Sequence, residues 1–207
     1  MTGRFITLEG IEGAGKSTIA RFVLAHLAQR LIPGLLTREP GGTPLAERIR
    51  QLVLERGAEA LSPVTETLLM FAARDLHLAH VIRPALARGE WVVCDRFTDA
   101  TRAYQGSGRG VDSGLIESLA AAVHGGLAPD CTLLLDLPVS VGLARARGRA
   151  AGGSDRFEAE TQAFFEKVRA GYLELARREP GRFHVIDATA PLDAVEGRVE
   201  EILEDLE

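Results

Sequence analysis

The 207-residue sequence predicts an α/β fold, a five-stranded parallel sheet flanked by helices. Three observations carry this prediction. Five short β-prone apolar runs recur along the chain: FITLEG from Phe5, LLTREP from Leu35, WVVCDR from Trp91, CTLLLDL from Cys131 and FHVIDAT from Phe183. Most are near-continuous rather than alternating, the pattern of strands covered on both faces. Longer segments with helical patterning separate them, and strand–helix alternation of this kind builds parallel sheets.

The first strand runs into a glycine-rich loop, GIEGAGKST from Gly10 to Thr18, and the loop into a helix, STIARFVLAHLAQR. A long helix begins after Ser62, an N-cap residue, with Pro63 at its first position. It runs through VTETLLMFAARDLHLAHVI. Pro84 is expected to end or kink it near Arg83, and Gly89 sits where the chain must stop before Trp91. Further helices are expected over ETQAFFEKVRAGYLELARR and at the end of the chain. RGRAAGGSDR, from Arg147 to Arg156, has no apolar face and reads as a loop. With no repeat and no low-complexity linker, one domain is expected over residues 1–207.

Composition narrows the function. An apolar fraction of 46% is that of a globular chain rather than a disordered one. A net charge of −5 provides no global field for nucleic acid, although local arginine clusters can hold small anions. Cys94 and Cys131 each lie in an apolar run and read as buried thiols rather than a disulfide. The histidines lack the paired spacing of a metal site. There is no signal-type or membrane-spanning apolar stretch, so a soluble cytoplasmic protein is expected.

Residues Gly10 to Ser17 match G-x-x-x-x-G-K-[ST], between a strand and a helix as that pattern requires. Glycines let several backbone N–H groups curl around one anion, and the following helix adds its positive end. The pattern predicts the P-loop NTPase fold, with Gly10, Glu12, Gly13, Ala14, Gly15, Lys16, Ser17 and Thr18 around ATP. Lys16 reaches the β and γ phosphates. The Ser17 hydroxyl is a candidate Mg²⁺ ligand. Asp95, at the tip of the third strand, is the second candidate metal residue, with a turn-capping acid as the alternative. Glu12 is the puzzle of the loop, an acid where phosphates are to bind.

Four motifs then appear in order: LEGIEGAGKST, TREPGGTPLAERIR, CDRFTDATRAYQGSGRG, and an arginine-rich segment ending in DRFE. Together they resemble the bacterial thymidylate kinase family over the whole chain, among the P-loop nucleoside monophosphate kinases. The resemblance implies transfer of the γ-phosphate of ATP to dTMP, giving dTDP on the route to dTTP. It implies ATP and Mg²⁺, a homodimer through the long helices, and a lid over roughly residues 145–158.

By the same resemblance Arg38, Arg50 and Arg96 surround the dTMP phosphate, and Glu12 points to the acceptor, toward its 3′-OH or a metal-bound water. Arg74 donates to the thymine O4, Thr101 and Gln105 line the N3 and O4 edge, and Tyr104 closes over the sugar. The family's base-stacking phenylalanine lies four residues before that arginine, where this chain has Met70; Phe71, three residues before it, is the expected stacker. Some members carry an arginine after the loop acid, where this chain has Gly13. That role passes to the lid: Arg149 for the transferring phosphate, Arg145 on the ATP side, with Arg147 and Arg156 as other candidates. Lys16, Arg96, Arg149 and Glu12 form the expected catalytic set. The acceptor is an already ionised phosphate, so no general base is expected. Two rivals are another acceptor nucleotide or nucleoside, and a slowly hydrolysing nucleotide switch.

Overall fold

The computed structural model describes residues 3–55, 60–149, 156–157 and 160–206, with the side chain of Arg149 outside that set. Five strands, β1 (Phe5–Glu9), β2 (Gly34–Arg38), β3 (Trp91–Asp95), β4 (Cys131–Asp136) and β5 (Phe183–Asp187), coincide with the five apolar runs. All their pairings are parallel, in the order β2-β3-β1-β4-β5. β1 lies at the centre, fully buried, because its residues are covered from both faces. Cys94 and Cys131 are buried in the adjoining strands, where burial raises both thiols, that of Cys131 to about 12. Neither is a thiolate nucleophile near neutral pH.

The helices are α1 (Lys16–Gln29), α2 (Pro44–Leu54), α3 (Pro63–His77), α4 (Arg83–Ala87), α5 (Thr98–Thr101), α6 (Ser113–His124), α7 (Val139–Arg149), α8 (Gln162–Arg178) and α9 (Leu192–Glu204). α1 packs on β2, β3 and α9, whereas α8 packs on the segment after α5. Ser62 caps α3 by accepting from the Thr65 N–H, with Pro63 at the first position. None of the described helices is long and apolar enough to cross a membrane.

Pro84 does not end the long helix. The chain passes from α3 through a π-helical turn, Leu78–Ile82, straight into α4, which contains Pro84. A proline lacks an N–H, and its ring crowds the carbonyl four residues back. Widening the preceding turn makes room for the ring without a break. A second π-helical segment, Arg102–Gly108, follows α5 and carries Tyr104 and Gln105. Such widened turns are frequent at functional sites because they displace side chains from the regular helical register.

Candidate active site

The phosphate loop leaves the carboxyl end of β1, beside the point where the chain's path through the sheet reverses, the usual ligand position of open α/β sheets. Gly15 precedes α1 with φ +96°, and no side chain caps the helix. The first-turn N–H groups are therefore available to an anion. Lys16 is buried and donates to the carbonyls of Gly10 (3.1 Å) and Ile11 (3.0 Å) of its own loop. Burial, helped by the nearby Arg96 charge, lowers its pKa to about 8. Ser17 donates to Asp95 Oδ2 at 3.3 Å, which puts the two candidate metal residues side by side. A hydroxyl and a carboxylate are the oxygen donors that Mg²⁺ takes, so this pair fits such an ion.

Gly13 has a tertiary cause that the sequence does not display. A Cβ there would lie 2.0 Å from the carbonyl oxygen of Gly142 in α7, and a Cβ on Gly142 would lie 2.6 Å from the Glu12 carbonyl oxygen. Two glycines let the phosphate loop and α7 touch backbone to backbone. An arginine at position 13 requires α7 to move away.

Across the loop, Glu12 belongs to a knot of four side chains. Its Oε1 accepts from Arg96 Nη2 (2.9 Å), and its Oε2 from the Tyr104 hydroxyl (2.5 Å). Arg96 also donates to the hydroxyls of Tyr104 (3.0 Å) and Tyr172 (3.2 Å), with its guanidinium 4.7 Å from the Tyr104 ring centroid. Burial raises both tyrosine pKa values well above normal, so both remain protonated donors. Beneath them the fully buried Glu9 accepts from Tyr172 (2.7 Å) and the Phe97 N–H (2.7 Å). Burial, then the charge of Asp99, raises its carboxyl to about 8. Arg96 itself has φ +72°, a strained conformation for a side-chain-bearing residue. Strain of that kind costs about 1–3 kcal/mol and persists where surrounding contacts over-determine it.

Glu12, Arg96 and Tyr104 of this knot form one wall of a cleft. Arg50, Arg74, Thr101 and Gln105 line it, as do Met70, Phe97 and Phe157. Arg74 donates to Glu39 Oε2 (2.7 Å), the Phe97 carbonyl (3.1 Å) and Thr101 Oγ1 (3.0 Å). Its Nη1 is buried without a hydrogen-bond partner among the described residues. Glu39 also lies 2.9 Å from His77 Nδ1, whose Nε2 is 2.6 Å from Thr37 Oγ1. Because a carboxylate only accepts, the His77 proton must sit on Nδ1.

Two sequence expectations are corrected here. Phe71 does not face the cleft. It packs with Val111, Ile116 and Ala120 beside α6, while Met70 lines the cleft. Residues three and four before Arg74 both flank its face, and the Arg74 guanidinium lies 4.8 Å from the Phe71 ring centroid, but what packs around the helix turns Phe71 toward α6 and Met70 toward the cleft. Arg38 does not reach the cleft either. Its Nη2 donates to both oxygens of Glu47 (3.1 and 3.0 Å) on an exposed shoulder beside Ser17 and Asp95. Side chains alternate along a strand, so Glu39 turns inward and Arg38 outward.

The arginines expected on the ATP side are spread out. Arg145 donates to the Ala188 carbonyl (2.8 Å), Arg147 is exposed, and Arg156 bonds Glu66 and the Val53 carbonyl. Arg149 closes α7, but its side chain and residues 150–155 and 158–159 lie outside the described residues. Sequence reasoning missed Glu9, Glu66 and Tyr172, which support the site from beneath, and Glu39 and Phe157, which line it. Phe157 stood in the quoted DRFE motif, where the arginine drew the attention.

A parallel sheet with a phosphate-cradling loop at its switch point, facing an arginine-lined second cleft, defines a P-loop phosphotransferase. The family profile described as Thymidylate kinase matches residues 8–199. The thymidylate kinase of Pseudomonas savastanoi pv. phaseolicola is 57% identical over 206 residues, covering 100% of this chain and 97% of that protein. That of Pseudomonas entomophila is 58% identical over 203 residues, covering 98% and 96%. The crystal structure of thymidylate kinase from Ehrlichia chaffeensis superposes with a TM-score of 0.78 at 33% identity, covering 98% of this chain and 99% of that one. The chain belongs to the thymidylate kinase family.

Proposed function

We propose that the protein is a nucleoside monophosphate kinase that transfers the γ-phosphate of ATP to dTMP, giving dTDP. The observation that carries this reading is the unpartnered Nη1 of Arg74, buried beside a cleft that begins at the phosphate loop. A pyrimidine carbonyl there would complete it. Met70 and Phe97 offer apolar contact to the ring, and Thr101 and Gln105 its polar edge.

ATP lies along Gly10–Thr18 in this reading, with the loop N–H groups and the start of α1 on its phosphates. Lys16 leaves its two loop carbonyls to meet the phosphates. Ser17 and Asp95 would hold Mg²⁺, which when bound neutralises charge on the ATP phosphates. Arg96 and Arg50 orient the acceptor phosphate, and Glu12 aims Arg96 and holds Tyr104, with a remaining lone pair on its carboxylate to accept from the 3′-OH. Tyr104 closes over the sugar, and Arg149 and Arg145 complete the donor side when a lid over 145–158 excludes water. The acceptor oxygen is already ionised, so alignment and charge neutralisation suffice. We further propose one domain, a cytoplasmic location, and a homodimer through the long helices, consistent with exposed Val64 and Leu68 on α3.

The test is ADP release with a panel of acceptors. Release with dTMP, well above that with dGMP or thymidine, is expected. Equal release without any acceptor would replace the kinase by an ATPase.

A further inference from the structure

One buried carboxylate beside the cleft has no part in phosphate chemistry. Glu66, on the first turn of α3, is 1% exposed. It stands behind the cleft wall rather than in it. Its Oε1 accepts from Gln105 Nε2 at 2.6 Å and from Arg109 Nε at 3.4 Å, and its Oε2 accepts from Arg156 Nη2. Arg109 also pairs with Glu160 at 2.7 Å.

A carboxylate can only accept, so the Gln105 group facing Glu66 must be its NH₂. The amide is thereby denied its half-turn flip. The Gln105 carbonyl oxygen has no hydrogen-bond partner among the described residues, and the side chain lines the cleft. Without Glu66 the amide could present either a donor or an acceptor to a ligand.

We propose that Glu66 is a positioning residue that makes Gln105 an acceptor toward the nucleobase, selecting bases whose ring N3 carries a proton. The proposal rests on reading the cleft as the dTMP site. Thymine and uracil have a proton on N3. Cytosine has a lone pair there, which would face the Gln105 carbonyl oxygen and leave both acceptors unpaired. A site built around one buried polar partner rejects its mismatch strongly. The same carboxylate grips Arg156, whose neighbour Phe157 lines the cleft.

The experiment is a double-mutant cycle with Glu66→Gln and Gln105→Ala, read as the ratio of kcat/KM for dTMP to that for dCMP. Glu66→Gln is expected to lower the ratio about tenfold or more, chiefly through the KM for dTMP, in the Gln105 background. In the Gln105→Ala background it is expected to change the ratio less than about twofold. A ratio unchanged by Glu66→Gln in folded protein overturns the proposal, as does an equal fall in both backgrounds. A wild type without preference for dTMP over dCMP overturns the functional reading and the proposal with it. Should Glu66→Gln fail to fold, NMR of the unaltered protein decides. The Gln105 NH₂ protons should keep their shifts and slow exchange when dTMP saturates the protein, and release of those protons from Glu66 overturns the proposal.

Discussion

The acceptor cleft and the donor side of this kinase are built in opposite ways. Around the cleft nearly every charged group is paired before any ligand arrives: Arg96 with Glu12 and two tyrosines, Arg74 with Glu39, and Gln105 and Arg156 with Glu66. On the proposed donor side Lys16 bonds, among the described residues, only its own loop carbonyls, Arg145 holds a distant carbonyl, and Arg147 is exposed. The cleft is pre-organised for a ligand whose shape must be read. In the proposed reading the donor side reorganises, because the γ-phosphate contacts are wanted only once both substrates are present and water is excluded.

Four experiments break or sharpen this contrast. The largest effect is expected for Arg96→Met, which removes the strained centre of the knot. kcat/KM for dTMP should fall about 10³-fold, while the KM for ATP moves less than about threefold. Steady-state kinetics with each substrate varied will show it, and parallel losses in both would dissolve the division into two sides.

Arg149→Ala comes next, with turnover down roughly 10- to 100-fold and dTMP affinity nearly unchanged, as expected of a group engaged only in the transition state. Single-turnover rates beside equilibrium dTMP binding separate the two, and an unaltered rate moves the role to a neighbouring arginine.

Lys16 makes the donor side sensitive to pH. Its pKa is lowered to about 8 by burial, and ATP phosphates would raise it by restoring countercharge. The free protein therefore takes up a proton on binding ATP as pH rises through 8, and affinity declines from there until the raised, bound pKa is passed. Calorimetry in buffers of different ionisation enthalpy should detect uptake at pH 8.5 and little at pH 6.5. dTMP binding should show no such uptake.

The smallest effect belongs to Arg38→Ala. An exposed pair with Glu47 contributes about 0–1 kcal/mol. Less than a threefold change in kcat/KM for dTMP is expected. A 100-fold loss would mean that Arg38 swings into the cleft when dTMP binds.

Much of this protein was legible in its residues. The five strands, the Ser62–Pro63 helix start and the phosphate loop are local features, carried by side-chain type and spacing within a few positions. The sequence placed a disturbance of the long helix near Arg83, but its form, a widened turn rather than a stop, is a backbone adjustment that no residue type announces. The buried acids Glu39 and Glu66 escaped notice because acids are usually exposed, and only their arginine, histidine and glutamine partners make burial tolerable.

By itself, then, the sequence determined the class of fold, the phosphate-binding chemistry and the family, since each rests on short runs of contiguous residues. Tertiary structure decided which member of a neighbouring pair lines the cleft: Met70 rather than Phe71, and Glu39 rather than Arg38. It also decided why position 13 is glycine, through a backbone 129 positions away at Gly142 (about the length of a small domain). The physical reason is common to all three. Facing and close approach depend on what packs against an element, and that partner is supplied by chain far away in sequence.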